Sequence, residues 1–199
     1  MERNCMRTLL GIILLACYFA VPAIAEDKEA AGEVKEVEGN LLKNGTFEDG
    51  KAAWTFYQDS AHKALPSLSE TVAHTGKKAA KITGSGEETG NGGVISQTVP
   101  VEPGGIYQLS AWAMAKELAA GGNNFASISV VFIVGGESRF DTASRCHQPG
   151  TDYDWLPLKL MCEAPKGVTH AAIELRFFDL GGDKSAGTVY FDDVVFKKR

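Results

Sequence analysis

Four residues of this chain have types and spacing suited to recognising a ligand rather than transforming one. Trp112 follows Gln108 and Ser110 at even spacing, so in an extended strand the three share a face. A large apolar ring then stands among polar neighbours. Glu174, Arg176 and Phe178 fall on alternate positions of Ala171-Ala172-Ile173-Glu174-Leu175-Arg176-Phe177-Phe178, opposite Ala171, Ile173, Leu175 and Phe177. A carboxylate, a guanidinium and aromatic rings on non-core faces offer directed hydrogen bonds and stacking. Each carries a structural alternative. Trp112 is either a platform or a ring buried under a loop, and Glu174–Arg176 is either part of a cleft or a solvated ion pair.

Reaction chemistry has less support. Gly84-Ser85-Gly86 lacks the outer spacing of a Gly-x-Ser-x-Gly elbow. No phosphate loop or dinucleotide fingerprint is present. His62, His74, His147 and His170 are scattered and no Cys-x-x-Cys occurs, which argues against zinc. The expectation is a protein that is not an enzyme.

The elements that must position these residues read as strands. Apolar runs of five to ten residues alternate with Gly, Pro, Asn and Asp clusters. Strands are expected near 53–58, 68–73, 78–83, 94–99, 105–115, 125–134, 154–162, 169–178 and 187–196. In 126–134, Ala126, Ile128, Val130, Phe132 and Val134 face one way and Ser127 and Ser129 the other. In 156–160, Leu156, Leu158 and Leu160 face inward. The stretch Ala111–Ala120 is rich in helix formers, but the alternation of Tyr107–Ser110 before it favours a continuing strand. About nine strands without long helices predict an all-β, two-sheet antiparallel β-sandwich of jelly-roll type. The 22 glycines, five pairs of them as Gly-Gly doublets, punctuate such a fold.

The 199 residues carry 20 Lys+Arg against 25 Asp+Glu, a net charge of −5. That balance argues against nucleic acid and against an anionic membrane surface as partners. Residues 1–25 read as a signal peptide: Arg3 and Arg7, an apolar run over Thr8–Ala20, then Ala23-Ile24-Ala25. The alternatives are an uncleaved anchor and lipidation at Cys17. Secretion or export to a periplasm follows from the signal reading. Residues 26–39 form a charged linker, and 40–199 form the domain. Of four cysteines, Cys146 and Cys162 remain after cleavage, either as a disulfide or as two free thiols.

Several blocks then fall in a familiar order: Asn40-Leu41-Leu42-Lys43-Asn44-Gly45-Thr46-Phe47-Glu48-Asp49-Gly50 with Trp54, His74–Ile82, Ile95–Val99, Val101–Trp112 and Gly187–Phe196. Together they resemble a family 4/9 carbohydrate-binding module, a galactose-binding-like domain. The resemblance implies a jelly roll with a sugar site on the concave sheet and a structural Ca2+. The calcium positions it implies are the Thr46 carbonyl, the Glu48 side chain, a carbonyl in the Gly76–Lys77 turn, and Asp192. Such hard oxygens suit that ion. Otherwise Glu48 and Asp192 hydrogen-bond loop amides. Asp193 is expected to face away from Asp192. Asn44-Gly45-Thr46 matches a glycosylation sequon and reads first as a turn.

On that footing Trp112, Glu174, Arg176 and Phe178 are expected to form one sugar cleft, with Trp54 and Trp155 supporting the fold. The loop Gly84–Gly93 has no aromatic, so the platform is thin. The Glu-x-Asp-x-x-Glu strand of small jelly-roll glucanases is missing. The expected function is a secreted, non-catalytic module that binds a polysaccharide or oligosaccharide. The alternative is a protein-interaction or envelope-structural module with a protein partner.

Overall fold

The described residues of the computed structural model form ten antiparallel strands, most of which alternate inward apolar and outward side chains. It describes residues 33–34, 36–57, 64–86, 93–118, 124–147, 151–179 and 186–199, without the side chains of 139–147 and 179. The expected signal peptide and most of the linker lie outside the described residues.

The strands are β1 (Thr55–Tyr57), β2 (Leu65–Ser69), β3 (Ala79–Thr83), β4 (Val94–Pro100), β5 (Ile106–Lys116), β6 (Asn124–Val134), β7 (Glu137–His147), β8 (Tyr153–Glu163), β9 (Val168–Asp179) and β10 (Thr188–Lys198). They form two five-stranded sheets, β1-β4-β9-β6-β7 and β2-β3-β10-β5-β8. The core lies between them. β9 contributes Ala171, Ile173, Leu175 and Phe177, β6 contributes Ala126, Ile128, Val130 and Phe132, and the facing sheet contributes Tyr107, Leu109, Phe191 and Phe196. Burial of each of these large side chains is worth roughly 1.5–3 kcal/mol. The expected all-β sandwich is therefore observed.

The N-terminal segment ties the two sheets. Asn40 accepts from Phe196 N at 2.9 Å and donates to Val194 O at 3.1 Å, replacing a strand partner on β10. Three residues on, the Gln97 amide of β4 takes both backbone groups of Lys43: its oxygen accepts from Lys43 N and its nitrogen donates to Lys43 O, each at 2.9 Å. Gly45 must be glycine, because a Cβ there would lie 2.2 Å from Val194 O. The Asn44 side chain closes the following turn, donating to Gly50 O and Ala52 O and accepting from Asp49 N. Its amide is thus used as the turn reading expects. Trp54 is buried and donates its ring N–H to Asn44 O at 2.9 Å.

Three expectations need correction. β7 was not expected: it follows β6 through Gly135-Gly136, both at positive φ (63° and 88°), which is the geometry of a tight two-residue hairpin. The second strand begins at Leu65 rather than residue 68 and ends where the Ser69 hydroxyl accepts from Val72 N. Leu156 pairs with the buried Ala113, on the inward side as expected, and is 40% exposed on the edge strand β8. Cys162 is a free thiol buried in the core, not half of a disulfide; the side chain of Cys146 lies outside the described residues.

Candidate functional site

The outward side of the first sheet carries a row of polar residues that are partly covered. Register sets Thr55, Ser96, Glu174, Ser129 and Arg145 side by side across five strands. The next row is Tyr57, Val94, Arg176, Ser127 and His147. Directly opposed residues share a face, so β9's Glu174 and Arg176 sit mid-sheet. Glu174 is only 9% exposed although it points away from the core. It accepts from Arg176 Nε at 2.7 Å and from the Ser129 hydroxyl at 3.1 Å. The Arg176 guanidinium also lies 5.8 Å from the centre of the Phe178 ring, and Phe178 stacks on Phe125 at 5.4 Å with the planes 3° apart. Tyr57, 47% exposed, stands at the β1 edge of the same face.

Three of the four residues expected to make the cleft are therefore together. Trp112 is not with them. It lies on β5, in the other sheet, with its ring on that sheet's outward side. The core separates it from Glu174, Arg176 and Phe178. Alternation fixes the face a residue takes on its strand but not the sheet the strand joins. Tyr57, Phe125, Ser96 and Ser129 complete the face and were not anticipated. Ser129 had been read as outward, which was the available signal.

Trp112 belongs to a second neighbourhood, around the connection between β2 and β3. The His74 ring stacks on it at 4.1 Å, with the planes 17° apart. Trp155 meets His74 edge-on at 5.5 Å. His74 Nδ1 is 2.6 Å from Asp193 Oδ2, and the Thr75 hydroxyl donates to Asp193 Oδ1 at 2.7 Å. Asp192, opposite Trp112 on β10, is fully buried. Its Oδ2 accepts from His74 N at 2.9 Å and Thr75 N at 3.0 Å, and its Oδ1 accepts from Asp193 N. Burial, and then the charge of Asp193, push the Asp192 carboxyl up to about 8. Asp193 does not turn away as expected. A bulge with Asp193 at φ 48° aims both carboxylates at residues 74–75.

The residues the resemblance assigns to calcium converge on the same connection. Glu48 Oε1 accepts from Lys77 N and Lys78 N, each at 2.8 Å, while the Lys78 ammonium donates to the Glu48 carbonyl. Gly76, at φ 63°, leaves room for that carboxylate, since a Cβ would come within 2.5 Å of Oε1. Lys77 thus enters through its N–H. Thr46, Thr75 and Asp193 line one cavity of about 510 Å³. The donor set is chemically suited to a hard cation, carboxylates with carbonyls. Each carboxylate already has amide donors. Among the described residues no group of three or more His, Cys, Asp or Glu gathers as a metal centre.

Residues 39–129 match the family model CBM_4_9, described as a carbohydrate binding domain. The match is to family 4/9 carbohydrate-binding modules. It covers the N-terminal tie, the β2–β3 connection and β5. Solved structures similar to this chain include a family 16 carbohydrate binding module-2, at 20% identity and TM-score 0.53, covering 79% of this chain and 99% of that one. Another is TmCBM61 in complex with beta-1,4-galactotriose, at 17% identity and TM-score 0.52, covering 80% and 99%. A third is the enzymatically active domain of bacteriophage CBA120 tailspike protein 4, at 18% identity and TM-score 0.60. That likeness covers 81% of this chain, which spans only 22% of the tailspike chain. At such identities the likeness establishes the β-sandwich fold. A search of curated proteins returned no match. Among the described residues no helix is long and apolar enough to cross a membrane.

Proposed function

We propose that this protein is a secreted, non-catalytic module that binds a glycan across the outward face of β1-β4-β9-β6-β7. One observation carries the reading: Glu174 is recessed on a non-core face and held by Arg176 and Ser129. A buried, oriented carboxylate–guanidinium pair costs desolvation and is poorly explained as surface decoration. It presents planar acceptors and donors to sugar hydroxyls. Phe178, Phe125 and Tyr57 supply apolar surface for the C–H side of a pyranose ring. The carbohydrate-binding modules of similar fold agree with the class of ligand. Affinity electrophoresis of the native protein against soluble xylan, β-1,4-galactan, mixed-linkage β-glucan and glucomannan tests it. Retardation on at least one is expected. None on any would favour a protein-interaction module instead.

Calcium is part of the same proposal. Glu48 and Asp192 would hold it, with the Thr46 carbonyl. What supports it is a fully buried carboxylate with a second carboxylate beside it, where a cation would offset the charge. A bound ion would fasten the first turn of the domain to its last strand. A melting temperature raised by calcium and lowered by chelator is the expected result. An unchanged melting curve removes the ion.

A further inference from the structure

The outward face of β2-β3-β10-β5-β8 carries an aromatic cluster that the proposed glycan face does not use. We propose that Trp155, His74 and Trp112 form a second, separate binding site for an uncharged pyranose oligosaccharide, on the side of the sandwich opposite Glu174.

Three independent elements bring the rings together: β5 supplies Trp112, β8 supplies Trp155, and the β2–β3 connection supplies His74. The approach of Trp155 has a specific cause. Between Leu156, opposite Ala113, and Tyr153, opposite Ala115, β8 has one residue more than β5. Alternation from the inward Leu158 and Leu160 turns Trp155 to the outward side, beside Trp112's face, and the extra residue turns Tyr153 back toward the core opposite Ala115. Neither tryptophan is fully buried, whereas Trp54 is 6% exposed.

The ring nitrogens are also placed for a ligand. Asp193 holds His74 at Nδ1, which fixes the ring plane and leaves Nε2 on the other side. Among the described residues, buried side-chain polar atoms without a partner include Gln108 Oε1 and Tyr153 OH. The indole nitrogens of Trp112 and Trp155 and Nε2 of His74 are not among these buried atoms, and no group among the described residues bonds them. A patch with half-exposed aromatic faces and three available ring nitrogens matches a sugar ring, which has an apolar side and a hydroxylated rim. Asp193, 20% exposed, and the exposed Asp154 make the surroundings acidic, which disfavours anionic sugars.

The two faces can be read separately. Of the three tryptophans, Trp112 and Trp155 lie on this face and Trp54 is buried just before β1, so Trp155→Ala assigns an emission change to the cluster. The experiment titrates native protein and the double variant Glu174→Gln/Arg176→Gln with xylohexaose, cellohexaose, β-1,4-galactotriose and mannohexaose. It follows fluorescence and heat together. At least one sugar is expected to change tryptophan emission in both proteins with similar affinity. Trp155→Ala should weaken that response at least tenfold, with an unchanged melting temperature. His74→Ala provides a second variant should Trp155→Ala fold poorly. Emission that responds to none of the four sugars, or responds in native protein and is abolished by Glu174→Gln/Arg176→Gln, overturns the second site. Heat of binding without an emission change would leave the Glu174 face intact and still overturn the second site.

Discussion

Arg176 Nε lies 2.7 Å from Glu174 Oε2, from two positions along the same strand and on the side turned away from the core. Both groups are largely covered, at 21% and 12% side-chain exposure. Such a pair gains little from being near the surface and pays for its partial desolvation. The Ser129 hydroxyl on the same carboxylate oxygen and the Phe178 ring beside the guanidinium fix its geometry. A rigid polar pair between stacked phenylalanines and an edge tyrosine can read hydroxyl positions. That is the physical basis for assigning the ligand to this face.

Asp192 makes stability depend on pH. Its carboxyl is pushed up to about 8 in the folded protein, by burial first and by Asp193 second. In the unfolded chain it titrates near 4. Between those values the folded state holds the extra proton, so stability falls as pH rises. The contribution is complete below about pH 4 and lost above about pH 8. In chelator, the melting temperature should be higher at pH 5 than at pH 8, and Asp192→Asn should flatten the difference. A melting temperature that rises over this interval in chelator contradicts the assignment.

Gln97 holds the N-terminal segment by bonding both backbone groups of Lys43. Gln97→Ala leaves a backbone N–H and C=O without these partners and should cost about 1–3 kcal/mol. Urea unfolding measures it. A cost below about 0.5 kcal/mol would mean that water replaces the amide without loss.

Gly45→Ala tests the same tie from the other sheet. A Cβ would collide with Val194 O, a backbone atom that cannot rotate away, while Gly45 O accepts from Val194 N at 2.9 Å. Overpacking of this kind costs about 1–3 kcal/mol or more. A melting temperature equal to that of native protein would contradict the close approach.

Cys162 is buried and its thiol is pushed up to about 11 by that burial. In native protein at pH 8 it should be inert to a charged thiol reagent, and it should react once the chain is denatured without reductant. Silence in the denatured, unreduced chain would show that it is bonded to Cys146 after all.

Much of the architecture was legible because alternation is a local property. The run Ala171–Phe178 predicted both its buried and its outward side, and Ile173 and Glu174 take the faces expected of them. The continuation of β5 through Ala111–Lys116, against helix propensity, followed from the alternation before it. β7 was hidden because Glu137–His147 has few apolar residues, as suits an edge strand, although Gly135-Gly136 marked the hairpin. Two relationships were not local at all. The bulge at Asp193 depends on how β10 pairs with β5, and the separation of Trp112 from Arg176 depends on which sheet each strand enters. Neither leaves a trace in the spacing of side chains.

The central claim is that Glu174 and Arg176 face a glycan. It is tested most directly by calorimetric titration of native protein, Glu174→Gln and Arg176→Gln with the sugar that best retards the native protein. Losing a hydrogen bond to a charged group costs roughly 1.5–3 kcal/mol, about ten- to a hundredfold in affinity. The account predicts that loss of affinity for each variant, with melting temperatures close to native. Native affinity in both folded variants would contradict it.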